Sequence, residues 1–88
     1  MGQENPLVTK WDKVRATLLS GRSDNNIEFD NLCGLLERLG LEKRIRGSHH
    51  VFTLEGVEAL IDLQPATGGK AKAYQVAQVR DFLLDNDL

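Results

Sequence analysis

Residues 41–64 read LEKRIRGSHHVFTLEGVEALIDLQ, and the pattern of this stretch decides the fold. Apolar and polar residues alternate with the period of two that is typical of half-covered strands. The pattern predicts strands at 41–46, 49–54 and 57–64, separated by the turn pairs Gly-Ser and Glu-Gly. Turns this short join antiparallel neighbours, so we expect a three-stranded antiparallel meander.

Helical spacing of apolar residues flanks the strands on both sides. Segments 11–20, 27–40 and 70–86 each place apolar residues three, four or seven positions apart, as an amphipathic helix does. The order is therefore helix, helix, three strands, helix. Because a sheet of three strands has one face to bury, the helices are expected to lie together on that face in a two-layer α+β domain.

Three small residues in the second predicted helix have distinct interpretations. Gly34 lies inside the helix, where glycine costs about 1 kcal/mol relative to alanine, so a close neighbour is expected to require the small side chain. Cys33 lies on the apolar stripe, which favours a buried hydrophobe over a reactive thiol. Gly40 follows the last apolar position, where a left-handed C-terminal cap is expected.

Size and charge limit the possible functions. The chain has 88 residues and a net charge of −2, enough for one domain and without the basic excess of a typical nucleic-acid binder. Five of its eleven basic residues nevertheless fall at positions 43–46 and 70–72, which predicts a local basic face. A single cysteine excludes an intramolecular disulfide and fits a cytoplasmic protein, and no segment has the length of a membrane span.

The only two histidines are adjacent, at the start of the second predicted strand. Side chains alternate between the faces of a strand, so His50 shares a face with Phe52 and Leu54. Because these two residues favour the core, His50 should face the helices and His49 should lie on the open face. For His50, a packing role and a functional role are about equally plausible, and an exposed His49 without a role is the ordinary alternative. Adjacent histidines diverge, so no metal site is expected.

Basic residues are expected near these histidines. Arg44 and Arg46 precede the Gly-Ser turn, and the sequence GGKAK brings Lys70 and Lys72 to the start of the last helix, a natural place for an anion. The spacing does not match a P-loop. A histidine beside guanidinium and ammonium groups suits the cleavage of a phosphodiester.

Three segments together resemble the HicA toxins of bacterial HicA–HicB toxin–antitoxin systems. They are GSHHVF, LLERLGLEKRIR and LQPATGGKAKAYQVAQVRDFLL, and the resemblance covers roughly residues 15–84. The Gly-Ser-His-His strand and the Gly-Lys-Ala-Lys helix start are specific as a pair, whereas each alone is weak. The resemblance is to the longer form of the family, in which an N-terminal segment precedes the first core helix.

The resemblance implies a fold like that of the double-stranded-RNA-binding domain, in a single domain 1–88 with an extension 1–26 and a core 27–85. It implies a cytoplasmic endoribonuclease that cleaves mRNA, needs no metal or small-molecule cofactor, and is held inactive by a HicB-like antitoxin. The catalytic histidine maps onto His49 or His50, and the face argument favours His49. The expected RNA contacts are Arg44, Arg46, Ser48, Lys70, Lys72 and Tyr74.

The chain departs from the family pattern in two ways. Ala73 stands where many members carry proline, and the net charge is acidic where many members are basic. Two other functions fit the same fold: a non-catalytic module that grips structured RNA or a protein, and a structural domain that uses its open sheet face. RNA cleavage that depends on a histidine distinguishes the toxin from both.

Overall fold

The computed structural model describes residues 8–88 as an α+β domain of three helices and three strands. The helices are α1 (Lys10–Ser20), α2 (Phe29–Arg38) and α3 (Ala73–Asp85), and the strands are β1 (Glu42–Arg46), β2 (His49–Thr53) and β3 (Ile61–Leu63). The sheet is antiparallel with the order β1-β2-β3. The predicted order of elements is confirmed. Residues 1–7 of the predicted extension lie outside the described residues.

Local sequence signals determine where α1 begins and where α2 ends. Thr9 begins α1 with a capping box, in which its Oγ1 accepts from the Asp12 N–H while the Asp12 carboxylate accepts from the Thr9 N–H. At the end of α2, Gly40 has φ +99° and donates to the Glu37 carbonyl, while the Leu41 N–H reaches the Leu36 carbonyl. These two bonds form a Schellman motif. The predicted glycine cap is confirmed, and it turns the chain directly into β1.

One core holds the three helices against the sheet. Leu18 of α1 and Phe52 of β2 are both fully buried in it, so the N-terminal helix packs into the same core as the rest. Cys33 is buried as predicted, and desolvation by burial raises the pKa of its thiol to about 11. The thiol is therefore protonated at neutral pH. No helix within residues 8–88 is long and apolar enough to cross a bilayer.

The third strand is shorter than the alternation predicts. Strand β3 begins only at Ile61. The chain makes the predicted turn after β2, where the Val57 N–H bonds to the Leu54 carbonyl and Gly56 has φ +83°, but residues 57–60 then stay outside the sheet. Val57 packs against the core, whereas Ala59 is exposed, so the prediction that the strand alternation starts at residue 57 is wrong. The covering helices also leave the end of the edge strand β1 open, since Ile45 is 58% exposed.

The close neighbour expected at Gly34 is the indole ring of Trp11. A Cβ at position 34 would lie 2.4 Å from Trp11 Cη2 and 2.8 Å from Cζ3, which is closer than carbon atoms pack. We predict that Gly34→Ala destabilises the protein by about 1–3 kcal/mol, because overpacking outweighs the better helix propensity of alanine. Urea unfolding followed by circular dichroism measures the change.

A double-mutant cycle isolates the contact between Gly34 and Trp11. In a Trp11→Ala background the indole is gone, so Gly34→Ala should stabilise α2 by up to about 1 kcal/mol through helix propensity alone. The sign of the Gly34→Ala effect thus depends on Trp11. A stabilising effect in the wild-type background would contradict the assignment of Trp11 as the reason for the glycine.

Candidate active site

The two histidines point to opposite faces of β2, as predicted. His50 faces the helices and is half-buried; its ring meets the Phe29 ring edge-on at a centroid distance of 4.9 Å. His50 Nδ1 lies 3.3 Å from the Ser48 carbonyl, to which it can donate. These contacts make His50 a packing residue at the border of the core.

His49 lies on the open face and contacts a carboxylate from the neighbouring strand. Its Nδ1 lies 3.0 and 3.1 Å from the two carboxylate oxygens of Asp62 in β3. Asp62 is paired with Val51, so the same alternation that exposes His49 places the carboxylate beside it. Both side chains remain close to half-exposed, at 49% and 44%, so a large ligand can reach the imidazole.

Gln64 contacts the other nitrogen of His49. Gln64 Nε2 lies 3.2 Å from His49 Nε2 and 3.0 Å from Ser48 Oγ, while Gln64 Oε1 lies 3.5 Å from Lys72 Nζ. An ammonium group can only donate, so the amide oxygen must face Lys72 and the amide nitrogen must face His49.

This orientation fixes the tautomer of the imidazole. The amide nitrogen of Gln64 is only a donor, so His49 Nε2 must accept and carries no proton. The proton of the neutral ring then lies on Nδ1 and is donated to Asp62. In the neutral ring the unprotonated nitrogen therefore faces Gln64 and lies away from the carboxylate.

A buried amide holds the two partners of His49 in place. The Gln75 side chain is 6% exposed; its Oε1 accepts from the Gln64 N–H at 3.1 Å, and its Nε2 donates to the Asp62 carbonyl at 3.3 Å. On this edge of β3 it takes the place of a peptide group from a further strand. The same Nε2 lies 3.4 Å from the Tyr74 hydroxyl, which brings the exposed Tyr74 ring to this end of the sheet.

The predicted basic residues divide into two groups. Arg46 is paired with His49 across the β1–β2 hairpin, and Arg44 is paired with Val51, so both arginines lie on the open face. Lys72 joins the site through Gln64. In contrast, Lys70 Nζ bonds to Glu28 at 2.7 Å and Asn26 at 2.9 Å, so it holds the start of α2 and makes no contact with the residues around His49.

Three residues of this site were missed by the sequence reasoning. Asp62 and Gln64 alternate with the core residues Ile61 and Leu63, and a meander places the end of β3 beside the start of β2. That combination was a usable signal for both. Gln75 had none, because a glutamine in the pattern of an amphipathic helix is an ordinary surface residue.

Comparison of the chain with protein-family models, curated proteins and solved structures gave no match. Within residues 8–88, no three histidine, cysteine, aspartate or glutamate side chains are grouped as metal ligands would be. The arrangement on the open face is an imidazole, a carboxylate that contacts it and nearby cationic side chains.

Proposed function

We propose that this protein is a metal-independent endoribonuclease that cleaves mRNA, and that it is the toxin of a HicA–HicB type pair. The observation that carries the proposal is the contact of His49 Nδ1 with Asp62 on the solvent-open face, directly across from Arg46. A neutral imidazole oriented by a carboxylate is a general base. The assignment to a toxin–antitoxin pair rests on the sequence resemblance.

The reaction is a transesterification within the RNA strand. His49 Nε2 takes the proton of a ribose 2′-hydroxyl, and the 2′-oxygen attacks the adjacent phosphorus as the bond to the 5′-oxygen breaks. The leaving 5′-oxygen takes a proton from the imidazolium or from solvent. The products are a 2′,3′-cyclic phosphate and a 5′-hydroxyl. DNA lacks the nucleophile and is not a substrate.

Cationic side chains around the base supply the electrostatic part of the mechanism. Arg46 lies across from His49 and Arg44 follows on the same face, so both guanidinium groups suit contacts with phosphates. Lys72 approaches from the start of α3. These groups stabilise the charge that develops on the phosphate oxygens. Glu42 shares this face at the far end of β1, so the basic character is local to the end near His49.

Digestion of a long unstructured RNA in EDTA tests the proposed function. The expected result is cleavage with 2′,3′-cyclic phosphate ends, identified by mass spectrometry, and loss of the cut at a mapped site when the nucleotide that supplies its 2′-hydroxyl is replaced by its 2′-deoxy form. Loss of activity in EDTA would contradict a metal-independent mechanism. Salt-dependent RNA binding without any cut would favour the non-catalytic module instead.

An inhibitory partner is expected to cover the same face. A HicB-like protein that blocks cleavage should bury His49 and Lys72, because this excludes the scissile phosphate from the base. Protection of both residues in a footprinting experiment on the complex is the expected outcome. A complex that inhibits cleavage and leaves both side chains accessible would contradict a blocked phosphate site.

A further inference from the structure

The lone pair that would accept the 2′-hydroxyl proton is occupied in the free protein. Gln64 Nε2 lies 3.2 Å from His49 Nε2 and donates to it. A ribose hydroxyl needs the same position, since a general base must be within hydrogen-bond reach of the proton it removes. RNA binding at this site therefore requires the Gln64 amide to leave His49.

The contacts of Gln64 allow its side chain to move while its backbone stays fixed. The Gln64 N–H is held by the buried Gln75 amide, which anchors the end of β3. The side-chain amide is held only by polar surface contacts, to His49, to Ser48 Oγ and, at 3.5 Å, to Lys72 Nζ. A rotation about its side-chain bonds frees the lone pair without disturbing the sheet.

We propose that Gln64 is a positioning residue: it holds the neutral His49 ring in the Nδ1-protonated tautomer and yields the Nε2 lone pair to the RNA 2′-hydroxyl. The second half of this statement rests on the proposed function, whereas the first is a property of the free protein. In this orientation the amide donor matches the unprotonated Nε2 of the Nδ1–H tautomer, whereas an Nε2–H would meet a second donor.

Other charged groups around His49 act in both directions. Asp62 of β3 favours the imidazolium, whereas Arg46 of β1 and Lys72 at the start of α3 favour the neutral ring. Gln64 is the uncharged member of this set and touches Nε2 directly. Its replacement therefore changes the protonation of His49 through a contact and not through a distant field.

Long-range ¹H–¹⁵N NMR of the free protein tests the first half. Wild type should show the Nδ1–H tautomer of His49 at neutral pH. In Gln64→Leu the share of the Nδ1–H tautomer should fall, because the donor to Nε2 is gone. In Gln64→Glu the midpoint of imidazole protonation should move to higher pH by about one pH unit or more, since a second carboxylate then faces the ring. Gln78→Leu and Gln78→Glu, at an exposed position of α3, are the matched controls and should leave the midpoint unchanged.

Two results would overturn the proposal whether or not the protein cuts RNA. One is an Nε2–H tautomer in wild type, and the other is an unchanged midpoint in a folded Gln64→Glu variant. For the second half, the acid limb of the pH profile of kcat/KM for RNA cleavage should move in Gln64→Glu by the same interval as the NMR midpoint. A profile that does not move contradicts the transfer of the lone pair to RNA. Absence of cleavage in wild type contradicts the proposed ribonuclease function and leaves the tautomer assignment to the NMR result.

Discussion

His49→Ala is expected to lower RNA cleavage by about 10²–10⁴-fold, because general-base catalysis contributes about this factor. His50→Ala is expected to retain cleavage, since its side chain lies on the helix face against Phe29 and away from the open surface. The measurement is the initial rate of cut-site formation in EDTA, with both variants purified in parallel to exclude a contaminating nuclease.

Each substitution is expected to affect a different property: His50→Ala lowers stability, whereas His49→Ala lowers activity. His50→Ala removes a half-buried ring that packs edge-on against Phe29, so the free energy of unfolding should fall by about 0.5–1.5 kcal/mol. His49→Ala removes an exposed ring and should change the unfolding free energy by less. If a folded His49→Ala variant kept full activity and a folded His50→Ala variant were inactive, the base would be His50 on the helix face. That result would contradict the assignment of His49.

The helices and strands could be predicted because each depends on a local pattern of apolar residues and on the turn or cap residues at its ends. The preference of Phe52 over Val51 for the core fixed the faces of β2, and with them the direction of His49. The glycine cap at Gly40 was equally visible. The length of β3 was not, because alternation at 57–60 does not decide between pairing in the sheet and packing beside it, and the chain takes the second course. That choice is made by tertiary packing.

The site was predicted in part for a similar reason. Residues on one strand or hairpin, such as His49 and Arg46, could be related by alternation and turn length. Lys70 and Lys72 are two residues apart and looked equivalent, but the pairing of Lys70 with Glu28 depends on an isolated bridge between distant segments. The role of Gln75 depends on how α3 docks against the edge of β3, which no local pattern records.

Asp62→Asn is expected to lower kcat about 10–100-fold without raising KM, because an amide does not hold the Nδ1–H tautomer that a carboxylate holds. The introduced amide can donate to Nδ1 of His49, and the proton then moves to Nε2, where it removes the lone pair that accepts the 2′-hydroxyl proton. The Asp62 side chain is close to half-exposed, so rotation of the amide limits the loss. Single-turnover and steady-state cleavage rates measure the two constants.

The separation of kcat from KM distinguishes an orienting carboxylate from a merely acidic surface residue. Asp62→Asn also removes a negative charge from the face proposed to bind phosphates, and this alone should strengthen RNA binding and raise kcat/KM. A faster enzyme would therefore contradict the orienting role. Asp81→Asn makes the same change of charge at an exposed position of α3, where it should leave kcat unchanged. If both variants lost kcat equally, the effect would belong to net charge and not to the contact between Asp62 and His49.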